Sequence, residues 1–89
     1  MPQVEVPPRY RGPTNGRSRI EVEGDTVRSC VEAVEVQYPG FLELVFDADG
    51  ELRRYVRLFV NDEALDRDAA DTPVAAGDRV QILASAAGG

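Results

Sequence analysis

A single amphipathic helical segment is the feature that most constrains how this chain can fold. Asp25 or Thr26 provides the N-cap, and Pro39-Gly40 ends the segment. Between them, five residues recur at helical spacing and form one apolar stripe: Val27, Cys30, Val31, Val34 and Tyr38. An apolar stripe must be buried against another layer of secondary structure. The rest of the chain is rich in strand signals, so we expect that layer to be a sheet.

Alternation of polar and apolar residues predicts the strands of this sheet at residues 3–6, 19–23, 55–60, 64–65 and 79–84. Residues 41–46 are interpreted as a turn of helix packed on the core. The order is strand, strand, helix, strand, short strand, strand. It predicts an α+β fold of the β-grasp (ubiquitin-like) type, with one main helix across a mixed sheet of four to five strands. Residues 1–84 would form this domain, and the small residues 85–89, here called the tail, would project from it.

The predicted strand at 55–60 divides by parity into two faces. The aliphatic set is expected to meet the helix: Val56, Leu58 and Val60. The other set would lie on the outer face of the sheet: Tyr55, Arg57 and Phe59. Aromatic residues and arginine are enriched at protein interfaces, so we interpret the outer set as a partner-binding surface. The competing interpretation is that Phe59 is an incidentally exposed apolar residue.

The chain has one cysteine, Cys30, and no histidine. This composition excludes an intramolecular disulfide, a zinc or iron–sulfur centre, and nucleophilic catalysis with a histidine base. Cys30 lies on the apolar stripe, which predicts a buried structural thiol. Asp47-Ala48-Asp49-Gly50 resembles the start of a calcium loop, but Leu52 and Leu58 stand where that loop needs glycine and glutamate.

A net charge of −6 argues against a nucleic-acid partner, which requires a basic surface. Four arginines at positions 9, 11, 17 and 19 form a local exception, which we interpret as a solvated loop rather than a phosphate site. No apolar run is long enough to span a membrane. The first residues lack the pattern of a secretory signal. We therefore expect a cytoplasmic protein.

Several segments in this order resemble the MoaD/ThiS family of ubiquitin-like sulfur carriers, and most closely its CysO-like branch. The resemblance runs from about residue 3 to residue 89. It is carried by five segments: Gly24-Asp25-Thr26-Val27, Tyr38-Pro39-Gly40, Phe59-Val60-Asn61-Asp62-Glu63, Ala76-Gly77-Asp78-Arg79-Val80-Gln81-Ile82-Leu83 and Ala87-Gly88-Gly89. The loop from Pro7 to Arg17 departs from any common pattern, and Ala84-Ser85 stands where many relatives have a proline.

The resemblance implies a sulfur carrier that is a protein co-substrate and not an enzyme. An adenylating partner of the ubiquitin-activating type would use ATP to activate the Gly89 carboxylate. A sulfur donor would then convert it to a thiocarboxylate for a sulfur-accepting biosynthetic enzyme. The carrier itself would bind no cofactor. Gly88, with Ala87 and Ala86, would make a slim segment able to enter the partner's active site, since glycine has no Cβ. Members of this fold commonly dock through the sheet face that carries Phe59.

Two other functions remain compatible with the sequence. A ubiquitin-like modifier would be joined to lysines of target proteins through the same Gly89 carboxylate. A noncatalytic β-grasp interaction domain would keep its function after Gly89 is removed. An enzyme that relies on Asp62 and Glu63 is a more distant possibility, because these residues are more simply explained as a solvated turn.

Overall fold

A computed structural model describes residues 1–85 of the chain. Its strands are β1 (Gln3–Glu5), β2 (Arg19–Glu21), β3 (Val56–Val60), β4 (Glu63–Ala64) and β5 (Arg79–Ala84). Its α-helices are α1 (Val27–Gln37) and α2 (Leu42–Val45). Among these residues, no helix is long and apolar enough to cross a membrane.

The strands of the described part of the chain form one mixed sheet in the order β2-β1-β5-β3-β4. β1 pairs with β5 in parallel, with Val4 opposite Val80, and the other neighbouring strands are antiparallel. The first and last strands therefore lie side by side at the centre, and α1 packs across the sheet as the crossover layer. This confirms the predicted β-grasp architecture with one main helix.

The N-terminus of α1 is set by a reciprocal cap. The Thr26 hydroxyl accepts a hydrogen bond from the Ser29 N–H, and the Ser29 hydroxyl accepts one from the Thr26 N–H. The predicted stripe is buried with the exception of Tyr38, which is half-buried. A Cβ built at Gly24 would lie 2.9 Å from the Cys30 sulfur, so glycine is needed there for close packing. Cys30 is thus a buried core residue, as predicted.

The turn of helix predicted at residues 41–46 is α2, and a side chain of α1 holds it in place. The Glu35 carboxylate accepts hydrogen bonds from the Leu42 N–H at 2.8 Å and the Gly40 N–H at 3.1 Å. These backbone donors, with that of Leu42 contributing most, lower the pKa of Glu35. Burial of Phe41 and Val45 against α1 completes the contact.

Four predicted strands are shorter in the structure, or shifted by one residue. β1 ends at Glu5, β2 ends at Glu21, and β4 spans residues 63–64 rather than 64–65. The strand predicted to begin at Tyr55 begins at Val56, because a turn closed by the Val56 N–H and the Arg53 carbonyl precedes it. The side-chain alternation of β3 therefore does not extend back to Tyr55.

The loop between β1 and β2 is folded onto the domain rather than simply solvated. A 3-10 turn at Pro8–Tyr10 places Tyr10 in the core, where its side chain is 5% exposed. Thr14 is fully buried, and its hydroxyl donates to the Arg17 carbonyl at 3.0 Å. The four arginines around these anchors remain at least partly exposed. Their exposure agrees with the sequence interpretation, whereas the buried anchors do not.

Candidate functional site

The root of the tail, Ser85, lies at the C-terminal end of β5, beside the start of β3. β5 ends at Ala84, which pairs with Val56, and the Ser85 N–H then donates to the Tyr55 carbonyl at 2.9 Å. Ordered pairing therefore continues one residue into the tail as we defined it. The residues that sequence analysis selected for activation and passage lie outside the described part of the chain: Ala86, Ala87, Gly88 and Gly89.

The outer face of the sheet beside this root is formed by alternate residues of β3 and β5. Val56 and Leu58 are buried beneath α1, whereas Arg57 is exposed and Phe59 is half-buried. This agrees with the predicted parity for these four residues. Val60, predicted to be in the core, is only partly buried there because it lies at the end of the strand.

An exposed leucine on this face was not singled out in the sequence. Leu83 is 52% exposed and pairs with Arg57 across β3 and β5, two residues before the tail root. Val80 and Ile82 are buried, and Leu83 has the opposite parity along β5. Strand alternation could therefore have placed Leu83 on the outer face. Leu83 and Phe59 together form an apolar strip on this face.

Tyr55 does not share a surface with Phe59 in the structure. It is half-buried against the core and lines a cavity of about 610 Å³ with Arg53, Arg54 and Arg67. The Arg67 guanidinium holds this region together by donating to the carbonyls of residues 52, 53 and 56. The expected trio is therefore divided, since the turn before β3 directs Tyr55 elsewhere.

A polar network borders the apolar part of the outer face. Arg79 forms ion pairs with Asp62 at 2.7 Å and Glu5 at 3.5 Å, and the Gln81 amide donates to Asp62 at 2.9 Å. These contacts, with that of Gln81 contributing most, lower the pKa of Asp62. Asp62 belongs to a tight turn in which both Asn61 and Asp62 have positive φ. The acidic residue is thus explained by the turn and its partners, and not by catalysis.

Between the β1–β2 loop and the outer face lies a cleft of about 550 Å³, here called the loop cleft. Its loop side is formed by residues 7, 8, 11, 18 and 19, and its sheet side by Phe59, Ile82 and Leu83. The polar residues Glu5, Asp62 and Gln81 line the remainder. The described residues thus combine the tail root, an apolar strip and a cleft on adjoining surfaces.

Cys30 lies in the core and does not contribute to this site. Burial raises the pKa of its thiol, and the nearby Asp25 carboxylate adds to the effect. A buried thiol with a raised pKa is a poor nucleophile. The tail root and the outer face are therefore the features whose chemistry needs explanation.

Comparison with known proteins agrees with this arrangement. The model of the ThiS family matches residues 9–89. The chain is 35% identical over 89 residues to the sulfur carrier protein CysO of Mycobacterium tuberculosis, covering 97% of this chain and 96% of the relative. A crystal structure of Mycobacterium tuberculosis CysO superposes with a TM-score of 0.87 at 32% identity, covering 96% and 99% of the two chains.

Two further solved structures have the same fold. The Amycolatopsis orientalis BexX/CysO complex contains a chain with a TM-score of 0.87 and 29% identity, with full coverage of both chains. The small archaeal modifier protein 1 of Haloferax volcanii has a TM-score of 0.72 and 26% identity, covering 91% and 92%. The family model accounts for nearly the whole chain, including both terminal glycines, and the sequence match to CysO is of similar extent. This chain belongs to the ThiS family.

Proposed function

We propose that this protein is a cytoplasmic sulfur carrier whose reactive group is the carboxylate of Gly89. The observation that carries the proposal is that the family match extends through Gly88 and Gly89, the two residues on which the carrier chemistry depends. The full-length similarity to a relative named a sulfur carrier supports the same function. The protein would act as a co-substrate, and catalysis would be performed by its partners.

The chemistry follows from what a carboxylate needs in order to accept sulfur. In a partner enzyme, the Gly89 carboxylate attacks the α-phosphate of ATP, pyrophosphate leaves, and the AMP now attached to the carboxylate is a good leaving group. A sulfur donor then displaces AMP and leaves a C-terminal thiocarboxylate. Its sulfur is a better nucleophile than a carboxylate oxygen and is delivered to a third protein. Neither step requires a histidine, cysteine or metal ligand from the carrier.

The partner would dock on the outer face of the sheet, with Phe59 and Arg57 in contact and without Tyr55, which packs against the core. Arg57 pairs with the exposed Leu83, so an apolar and a cationic group lie together near the tail root. Docking there would direct the four residues after Ser85 toward the partner's active site. The Amycolatopsis orientalis CysO was crystallised in a complex with BexX, which supports a protein partner for this chain as well.

A ubiquitin-like modifier is the second candidate, because the archaeal modifier protein has the same fold. Its chemistry would be identical up to the adenylate and would end in an isopeptide bond to a lysine. The 89 residues contain ten arginines and no lysine, so copies of this sequence cannot be joined to one another through lysine side chains. The absence of lysine suits a carrier whose activated C-terminus must not become joined to other copies of the same protein.

Intact-mass analysis tests the proposal directly. After incubation with a cognate activating enzyme, ATP and a sulfide source, we expect one oxygen of Gly89 to be replaced by sulfur. Removal of Gly89, or addition of residues after it, should prevent the change while leaving the circular-dichroism spectrum unaltered. Normal sulfur loading of the truncated protein would rule out the Gly89 carboxylate as the reactive group. A product joined to lysine without any thiocarboxylate would favour the modifier.

A further inference from the structure

We propose that the loop cleft binds an extended acidic segment of the partner protein, with an apolar side chain seated on the sheet and a neighbouring carboxylate at Arg19 and Arg11. This inference rests on the proposed function for the identity of the partner. It deepens that function by naming the chemistry of the segment that is recognised. It also assigns a role to the β1–β2 loop, which has none in the carrier cycle itself.

The floor and sides of the loop cleft suit an apolar side chain. Phe59 and Leu83 contribute accessible apolar surface from the sheet, and the edges of Pro7 and Pro8 face them from the loop. Leu83 in particular is half-exposed beside buried neighbours, so covering it would remove apolar surface from water. The volume of about 550 Å³ is enough for a few residues and not for a folded domain. A short extended segment is the occupant that fits these dimensions.

The loop side of the cleft is held in place before any partner arrives. Tyr10 anchors the loop in the core, and the Val6 N–H donates to the Ser18 carbonyl at 2.8 Å across its base. The Arg11 side chain is itself tied down, because its Nε donates to the Val6 carbonyl at 3.1 Å. The Gly16 N–H closes the loop by donating to the Arg11 carbonyl. A preformed cleft binds with a smaller loss of conformational entropy than a flexible one.

The charges that line the cleft select an acidic partner. The acidic residues Glu5 and Asp62 share the guanidinium of Arg79, which compensates one of their two negative charges. Arg19 is exposed and makes no ion pair or side-chain hydrogen bond within residues 1–85, and the Arg11 guanidinium keeps its terminal nitrogens available. With Arg79, three guanidinium groups face two carboxylates around the cleft, so it is locally positive on a protein of net charge −6. Guanidinium groups bind carboxylates with charge-assisted hydrogen bonds.

A peptide titration followed by two-dimensional amide NMR tests the inference on the whole chain. The probe is the peptide acetyl-Glu-Asp-Leu-Phe-Asp-Glu-amide. One control replaces its acidic residues with lysine, and another replaces its Leu-Phe centre with Ser-Gly. We expect the probe alone to give saturable shifts, centred on the amides of Ser18, Phe59 and Leu83. Equal binding of either control peptide, or the absence of saturable shifts at the cleft, would overturn the proposal.

Matched variants separate the cleft from general electrostatic attraction. Arg19→Glu should weaken probe binding by about tenfold or more, the scale of a lost charge-assisted hydrogen bond. Arg54→Glu makes the same charge change at an exposed arginine outside the cleft and should leave binding within about twofold, as expected for a screened distant charge. Leu83→Ser should weaken binding, whereas Val36→Ser, on the exposed side of α1, should not. Equal losses for Arg19→Glu and Arg54→Glu would contradict the proposal.

The outcome is independent of the carrier chemistry, because the titration needs no activating enzyme. Failure of the probe to bind, with normal thiocarboxylate formation at Gly89, would remove the cleft proposal alone. Specific binding at the cleft, with no thiocarboxylate formed by any activating enzyme, would remove the carrier function alone. Each variant's amide spectrum and thermal midpoint establish that it is folded before binding is compared.

Discussion

Truncation of two neighbouring residues in β3 tests the assignment of inner and outer faces. Leu58 is 3% exposed and lies beside the buried Ile82 beneath α1, whereas Phe59 is half-buried on the opposite face, across from Gln81. Leu58→Ala therefore removes atoms from a closed core. Phe59→Ala removes atoms that water already reaches on one side. The two changes should differ clearly in their effect on stability, although Phe59 is the larger residue.

The expected magnitudes follow from this difference in burial. Leu58→Ala loses burial and leaves a cavity, so we expect a decrease of about 3 kcal/mol in the free energy of unfolding. For a domain of this size, that corresponds to a decrease of about 12–24 °C in the melting temperature. Phe59→Ala loses only part of its burial and leaves no enclosed cavity, so we expect about 1 kcal/mol.

Urea and thermal unfolding followed by circular dichroism provide the measurement. Val36→Ala is the matched control, because Val36 is 83% exposed on α1 and should tolerate truncation without loss of stability. If Phe59→Ala destabilised the fold as much as Leu58→Ala, the outer-face assignment of Phe59 would be wrong. The proposed docking surface would then lose its main residue.

Three further predictions concern the cap of α2, the core thiol and the docking face. Glu35→Gln should cost about 1 kcal/mol through weaker hydrogen bonds to the Leu42 and Gly40 amides. Because the folded pKa of Glu35 lies below its ordinary value of 4.5, its contribution is complete above that pH and is lost as the pH falls through the lowered pKa. The stability difference should therefore narrow in acid, and a pH-independent difference would contradict the charged cap. Cys30→Ala should cost about 1 kcal/mol in unfolding experiments and leave sulfur loading intact, whereas a folded variant unable to load sulfur would mean that the thiol is reactive. Phe59→Ala should weaken binding of a cognate activating enzyme by about 2 kcal/mol in calorimetry, and unchanged affinity would place docking elsewhere.

Local sequence signals predicted the elements whose boundaries are local. Thr26 and Ser29 make their reciprocal cap within one turn of helix, so the start of α1 can be read from neighbouring residues. Pro39-Gly40 ends the same helix, with Gly40 at positive φ. The parity of β3 was predicted for the same reason, because alternation along a strand needs no knowledge of its partners. The parity failed at Tyr55, where a turn replaces the extended backbone.

Features that depend on contacts between distant residues could not be predicted in this way. The Glu35 carboxylate of α1 accepts a hydrogen bond from the first N–H of α2, which is a separate segment. The four residues of α2 contain no sequence signal that predicts this contact. The β1–β2 loop has a composition typical of solvated loops, yet Tyr10 packs in the core and Thr14 is fully buried. The loop cleft exists only because this loop is held beside Phe59 and Leu83.

The sequence by itself determined the β-grasp class, the buried position of Cys30 and membership of a carrier family, because helical stripe, strand alternation and terminal motif are all encoded by nearby residues. Only the tertiary structure decided which side chains share a surface. The parallel pairing of β1 with β5 brings residues more than seventy positions apart into contact, as in the bond between Gln81 and Glu5. That pairing places the loop, the apolar strip and the tail root together, since side-chain neighbours across a sheet are set by strand order and register.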